Sequence, residues 1–342
     1  MPTSRFAKSR FEKPRLDETR LNETQPDETR PETRADETRP ETRADETRPE
    51  TRPETRAETR AETRAETRAE TRAETRAETR ADETRADETR ADEHSEIAQS
   101  FGLDPERYDR ARPRYPVEMI NRIAKDHHEL LDVGIGTGIA ARQFRDAGCE
   151  VLGVEPDPRM AAVARRYGFP VEESRIEDWD PQGRTFDAVV AGQTWHWVDP
   201  VAGAAKAYQV LRPGGRLALF WNAVQPSKDL AEGFGAAYRR AAPSLPFDPW
   251  AVTDPYATIV EKASEHLRDP EVWRFTWDHE YTREEWLDQI PTAGGHGLLP
   301  PAELEALLTA IGEAVGDRFT MRYQTVVVTT VKKDAVRKDA AR

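Results

Sequence analysis

Apolar positions divide this 342-residue chain into two unequal parts. From Asn22 to Glu96 there is no Val, Ile, Leu, Met, Phe, Tyr or Trp, whereas from Ile97 onward such residues recur at short intervals. A segment with nothing to bury cannot offset the entropy of ordering its backbone, roughly 1–2 kcal/mol per residue. The core must therefore be built downstream, and there the pattern alternates between two periods. Residues 116–127 read as a helix, 129–133 as a short strand ending in glycine, 138–147 as a helix, 150–155 as a strand and 157–167 as a helix. A short strand is expected near 170–174 and a buried one at 186–192. Asp199 followed by Pro200 is a helix start, with a capping carboxylate and a pre-set first residue, and that helix is predicted to reach about Leu211. RPGG then reads as a turn and 216–222 as another strand.

Strands separated by helices predict parallel pairing through right-handed crossovers, and their continuous apolar runs predict strands covered on both faces. The organisation changes after Asn222. Residues 228–242 and 302–315 look helical, while 272–281 and 322–332 look like strands that form an antiparallel edge. Residues 225–271 hold Pro, Trp and Tyr without a clear period and are expected to form part of a cap over the site. The predicted fold class is α/β: a doubly wound, mostly parallel seven-stranded sheet with a C-terminal cap, spanning residues 94–342.

Residues 1–93 are expected to be a disordered extension. They repeat DETR, PETR and AETR units, and the four-residue period over 56–80 stacks Glu on Glu and Arg on Arg at i,i+4, which is repulsive. Pro26, Pro31, Pro40, Pro49 and Pro53 interrupt the first half, and Thr is a weak helix former. Transient helix is expected around 57–93. A solvated repeat without a specific role is one reading; a spacer or weak protein-interaction tail is the other.

Composition narrows the function. A net charge of −13 and a pI near 5.2 leave no electrostatic footprint for nucleic acid or an anionic membrane surface. No apolar run approaches the ~20 residues of a membrane span. One cysteine, Cys149, excludes an internal disulfide and fits a reducing compartment, so a cytoplasmic location is expected. No Cys/His cluster has zinc spacing, and His127 and His128 are adjacent and cannot point to one ion, so no metal is expected.

The chemistry concentrates at Leu131-Asp132-Val133-Gly134-Ile135-Gly136-Thr137-Gly138, a strand running into a glycine turn and then a helix. Glycines there let the backbone turn sharply and approach a ligand, and the helix presents free N–H groups. A dinucleotide fingerprint would need a third glycine at Ile139; G-x-G-x-G stands instead, which disfavours a nicotinamide dehydrogenase. Glu155 ends the next strand, where a carboxylate can accept both hydrogen bonds of a ribose diol. Gln193-Thr194-Trp195-His196-Trp197 follows the fourth strand and so faces the cleft at the strand C-termini. His196 is there a candidate general base for a hydroxyl, amine or acidic carbon, or else a structural histidine ordering the loop. The flanking tryptophans read as pocket wall.

Five blocks, ERYDRARPRYP (106–116), LLDVGIGTG (130–138), VLGVEPD (151–157), FDAVVAGQTWHWVD (186–199) and VLRPGGRLALFWN (210–222), resemble in order and spacing the type 11 S-adenosylmethionine (SAM)-dependent methyltransferase domain. That domain is Rossmann-like and related to quinone-biosynthesis and trans-aconitate methyltransferases. The resemblance implies SAM as cofactor and a small-molecule acceptor, with no nucleic-acid or membrane partner. By the same resemblance Gly134, Gly136 and Gly138 would cradle the methionine end. Asp132 would hold the loop or reach the amino group through water, and Glu155 would bind the ribose, with Pro156 near the adenine. The family often carries Asp-Ala after the third strand; here Arg175 and Ile176 stand there, so the Ile176 N–H would serve an adenine nitrogen, while the usual carboxylate partner of the adenine amine is either missing or supplied by Glu177. Gln193 would lie near the methionine moiety. Arg112 would meet its carboxylate, and Tyr108 would line the transfer centre. A non-catalytic SAM-binding scaffold whose repeats engage partners is the alternative of another class.

Overall fold

The computed structural model describes residues 96–245, 257–265 and 267–333; the expected disordered extension over 1–93 lies outside them, as does Trp250. Residues 96–100 are helical and are followed by α1 (Pro105–Ala111) and α2 (Val117–Ala124). Then come β1 (Glu129–Val133), α3 (Ile139–Asp146), β2 (Glu150–Val154), α4 (Pro158–Arg166), β3 (Val171–Glu172) and β4 (Phe186–Gly192). α5 (Pro200–Val210) leads into β5 (Leu211–Gln225), α6 (Lys228–Ala241), α7 (Ala257–Glu265) and β6 (Glu271–Thr282). The last elements are α8 (Arg283–Gln289), α9 (Pro301–Ala314) and β7 (Arg318–Val331).

The seven strands form one sheet in the order β3-β2-β1-β4-β5-β7-β6, with β7 antiparallel to both neighbours. Successive residues of a strand point to opposite faces, and each face has its own core. Leu130, Ala188, Val190 and Phe220 pack with α2 and α3 through Met119, Ile123, Ala141 and Phe144. Leu131, Val189, Leu217, Leu219 and Trp221 pack with α5 through Ala204 and Ala207 on the other face. Helix starts follow the capping logic: Asp104, Asp157 and Asp199 each accept from a first-turn N–H and each precede proline. Thr282 and Glu285 form a reciprocal capping box at α8.

A third core fixes the cap. β5, β6 and β7 are far longer than β1, and at their overhanging end Tyr281, Met321 and Tyr323 gather Phe234 and Tyr238 from α6, Trp286 from α8, and Leu307 and Ile311 from α9.

Three expectations need correction. The predicted helix 116–127 ends at Ala124, where Asp126 turns out with φ +70° and the His127 ring nitrogen contacts the Ile123 carbonyl at 2.6 Å. The predicted RPGG turn is a bulge inside β5: pairing with β4 jumps from Phe186–Leu211 to Ala188–Arg216, while Gly214 and Gly215 exchange hydrogen bonds with Lys332. Finally, the late part of 225–271 is not cap, because Ala263 and Leu267 are buried against the sheet on the α5 side.

Candidate active site

The glycine turn sits where β1 ends. Gly134 and Ile135 donate to the Val154 carbonyl at 2.8 and 3.3 Å, which docks the turn on the end of β2. Gly134, Gly136 and Gly138 have φ of +65°, +57° and +86°, a region that excludes most side chains. Gly134 is needed twice over, because a Cβ there would lie 2.3 Å from the Thr194 methyl. At Gly136 the nearest atom to a Cβ would be Met160 Cε at 3.6 Å, so the constraint is the backbone alone and the space before the loop is open to a ligand.

Two carboxyl groups stand behind this loop. Glu155 accepts from the Gly136 N–H at 2.9 Å with Oε2 and from the Asp157 N–H at 3.0 Å with Oε1, and it is buried. Asp132 is 2% exposed, and its Oδ2 has no hydrogen-bond partner. Burial, reinforced by the neighbouring Glu155 charge, pushes the Asp132 carboxyl up to about 8. Burial pushes Glu155 up to about 7 against the opposing pull of its two N–H donors. A buried, unpartnered acceptor beside a glycine cradle suits a ligand that brings its own positive charge and hydrogen-bond donors.

The residues assigned to the adenine and methionine ends take diverse positions. Pro156 is exposed and the Ile176 side chain is buried in the core beside Val154. Glu177 Oε1 accepts from the Asp199 N–H at 2.8 Å, which steadies the start of α5. Gln193 occupies a left-handed conformation at φ +57°, held by its N–H to the Phe220 carbonyl, and its Nε2 reaches the Asn222 carbonyl at 3.3 Å. Thr194, given no role of its own within the Gln193–Trp197 motif, reaches the Gly134 and Gly192 carbonyls with its hydroxyl at 3.3 and 3.1 Å. It thereby fastens the loop after β4 to the glycine turn.

His196 is half-buried in that loop, and the Trp221 indole N–H donates to its Nδ1 at 3.2 Å. An indole nitrogen only donates, so Nδ1 is unprotonated and the neutral ring carries its proton on Nε2. This geometry occupies Nδ1 and leaves Nε2 as the nitrogen that bears the ring proton.

The segment before α2 forms a lid. Phe101 makes edge contacts at 5.9 Å with both Tyr108 and Trp197, which joins α1 to the loop after β4. Gly102 lies so close to Asp157 that a Cβ would meet its carboxylate at 2.0 Å, and Arg159 holds the Gln99 carbonyl at 2.9 Å. Buried ion pairing between Asp109 and Arg142 at 2.8 Å ties α1 to α3. Arg112 departs from expectation. It ends α1 in an extended conformation, lies over the Tyr108 ring at 5.1 Å and donates to the Thr292 carbonyl of the cap, with its Nε buried and unpartnered. In this arrangement it joins lid to cap rather than facing the glycine turn. Asn222 completes the assembly: it donates to the Arg114 carbonyl at 3.2 Å and accepts from Thr325 at 2.6 Å, while Trp277 donates to the same Thr325 hydroxyl at 2.9 Å.

Among the described residues no group of three or more His, Cys, Asp or Glu could hold a metal ion, and no helix is long and apolar enough to cross a membrane.

The chain is similar to known proteins over part of its length. Residues 131–219 match the family described as "Methyltransferase domain". An uncharacterized methyltransferase of Mycobacterium tuberculosis is 37% identical over 136 residues, covering 37% of this chain and 54% of the relative. The ubiquinone biosynthesis O-methyltransferase of Methylocella silvestris is 34% identical over 126 residues, covering 35% of this chain and 46% of the relative. Phosphoethanolamine N-methyltransferase 2 of Haemonchus contortus, solved with SAM, aligns with a TM-score of 0.38 at 19% identity over 64% of this chain and 53% of that one. The chain spans about half the length of the curated relatives it matches.

Proposed function

Since the chain carries a methyltransferase domain of the class I, SAM-dependent kind, we propose that it transfers a methyl group from SAM to a small-molecule acceptor. The observation that carries the reading is the glycine turn with the buried carboxyls of Asp132 and Glu155 behind it, neither of them paired with a Lys or Arg among the described residues. Bound SAM would supply a methyl group on a positively charged sulfur, ready for in-line displacement. The backbone from Gly134 to Gly138 would hold the methionine end, with Gln193 beside it. Glu155 would turn from the Gly136 N–H to the ribose, and Pro156, the Ile176 backbone and Glu177 would flank the adenine.

The protein's own contribution is orientation and exclusion of water. Phe101, Tyr108 and Trp197 close one side of the cleft with aromatic surface, and such faces also attract a sulfonium by ~0.5–2 kcal/mol. His196, its proton held on Nε2 by Trp221, orients an acceptor by donating to it. The acceptor's own proton then leaves to solvent or is absent at working pH. Oxygen is the acceptor atom named for the Methylocella silvestris relative, so hydroxyl and carboxyl compounds are the first class to test. The test is incubation of the full chain with SAM labelled at its methyl group and a small-molecule extract, followed by mass spectrometry. A labelled small molecule that depends on intact Gly136 supports the reading. Tight SAM binding without transfer to any compound would favour the non-catalytic alternative.

A further inference from the structure

The carboxyl pair behind the glycine turn has an unusual setting. Asp132 points from β1 with 2% exposure and Glu155 follows the end of β2 with 7%. The strands are adjacent and parallel, with Asp132 paired to Gly153 and Val133 to Val154, so Glu155 stands two positions further along the sheet than Asp132 and on the same face. Beside them are the apolar Val190 of β4, which pairs with Asp132, the glycine turn, and Thr194, none of which carries charge. The remaining titratable group facing Glu155 is Asp157 at the start of α4, and its charge is taken by Arg159 at 2.7 Å. Among the described residues no Lys or Arg forms an ion pair with Asp132 or Glu155. Glu155 takes two backbone N–H donors, whereas Oδ2 of Asp132 takes none.

Two buried carboxylates without a cation cannot both ionise near neutral pH, so the pair titrates as a unit and keeps a proton. A ligand bearing ammonium and sulfonium charges would favour the ionised pair. We propose that the buried pair of Asp132 and Glu155 retains a proton in the ligand-free protein and loses it to solvent as SAM enters, so that cofactor binding is coupled to proton release. The O–H bond of the protonated carboxyl breaks, its proton passes to water or buffer, and the carboxylate left behind faces the incoming positive charge. This rests on the reading of the site as a SAM cradle. Upward displacement of both carboxyls by burial agrees with it. Cofactor affinity then rises with pH below neutrality, by up to roughly tenfold per pH unit.

The test is calorimetric titration of the full chain with SAM at pH 6.5, below the α-amino titration range of the ligand, in phosphate and in Tris. The slope of binding enthalpy against buffer ionisation enthalpy counts protons. Wild type is expected to release close to one proton, and Asp132→Asn close to none. Wild type that binds SAM with a buffer-independent enthalpy overturns the coupling and leaves the cradle reading standing; absence of SAM binding overturns both. A second readout needs no ligand. The raised carboxyls lower stability as pH climbs from about 4 through about 8, because folding must keep buried groups protonated that the unfolded chain would ionise. Tm of the ligand-free wild type is therefore expected to fall between pH 6 and 8.5, and that of Asp132→Asn to fall less. Parallel pH curves for the two proteins would contradict the proposal.

Discussion

At the scale of single residues, the glycine turn was legible because its backbone requirement is local. Glycine spacing after an apolar run states a backbone requirement, and all three glycines have positive φ. Thr194 was not legible, since its contact with Gly134 depends on how β4 sits beside β1 rather than on any neighbour in sequence. The role of His196 was hidden for the same reason: its tautomer is set by Trp221, on β5. Two predictions belong here. Glu155→Ala is expected to weaken SAM binding by roughly 1–3 kcal/mol, the worth of charge-assisted hydrogen bonds to a buried carboxylate, read as a change in Kd. An unchanged Kd would remove Glu155 from the ribose site. His196→Ala is expected to lower kcat while sparing SAM affinity, and His196→Gln, which keeps a donor, is expected to recover part of the loss. Recovery with no donor at all, as in a fully active His196→Ala, would make the residue structural.

Elements were more legible than the contacts between them. Apolar runs marked all seven strands and the antiparallel edge. The start of β5 escaped because Pro213-Gly214-Gly215 has turn chemistry, and only the paired partner reveals a bulge. The cap escaped in part because α7 and α6 are similar amphipathic segments, and what separates them is the surface each meets. The cap offers a pH prediction. His296 is buried, accepts from the Tyr238 hydroxyl at 2.8 Å and contacts the Gly294 carbonyl at 3.1 Å, and burial pushes it down to about 4. A depressed imidazole contributes stability that is complete above its ordinary value near 6.5 and is lost as pH falls toward 4. The loss amounts to at most about 3 kcal/mol. Denaturant unfolding at pH 7 and pH 4.5 should therefore show a larger acid loss for wild type than for His296→Asn, against the opposite trend of the Asp132–Glu155 pair; equal losses would mean that His296 titrates normally. Where β5, β6 and β7 meet, Asn222→Ala should cost about 1–3 kcal/mol by stranding the Thr325 hydroxyl and the Arg114 carbonyl. A chain as stable as wild type in urea would show that water replaces the amide.

For the whole molecule, charge and composition separated a core-bearing part from a repeat that has nothing to bury. Residues 1–93 lie outside the described structure, so the expectation for them remains one of composition. The first apolar groups with a place in the fold are Ile97 and Phe101, which pack on the turn at Gly294 and Gly295. Deleting residues 2–93 spares both and is expected to leave Tm, SAM affinity and turnover unchanged; a Tm several degrees lower would show that the repeats dock. The matched family region, residues 131–219, stops before the cap, so the resemblance reaches the glycine turn and the loop after β4 but not α6, α8 and α9. The most direct measurement is equilibrium dialysis of the full chain against labelled SAM, with NAD as the competing cofactor and Gly136→Val as the control. The account predicts one saturable SAM site that NAD does not displace, lost in a Gly136→Val protein that still unfolds cooperatively. Near wild-type SAM affinity in that variant, or displacement by NAD, would contradict it.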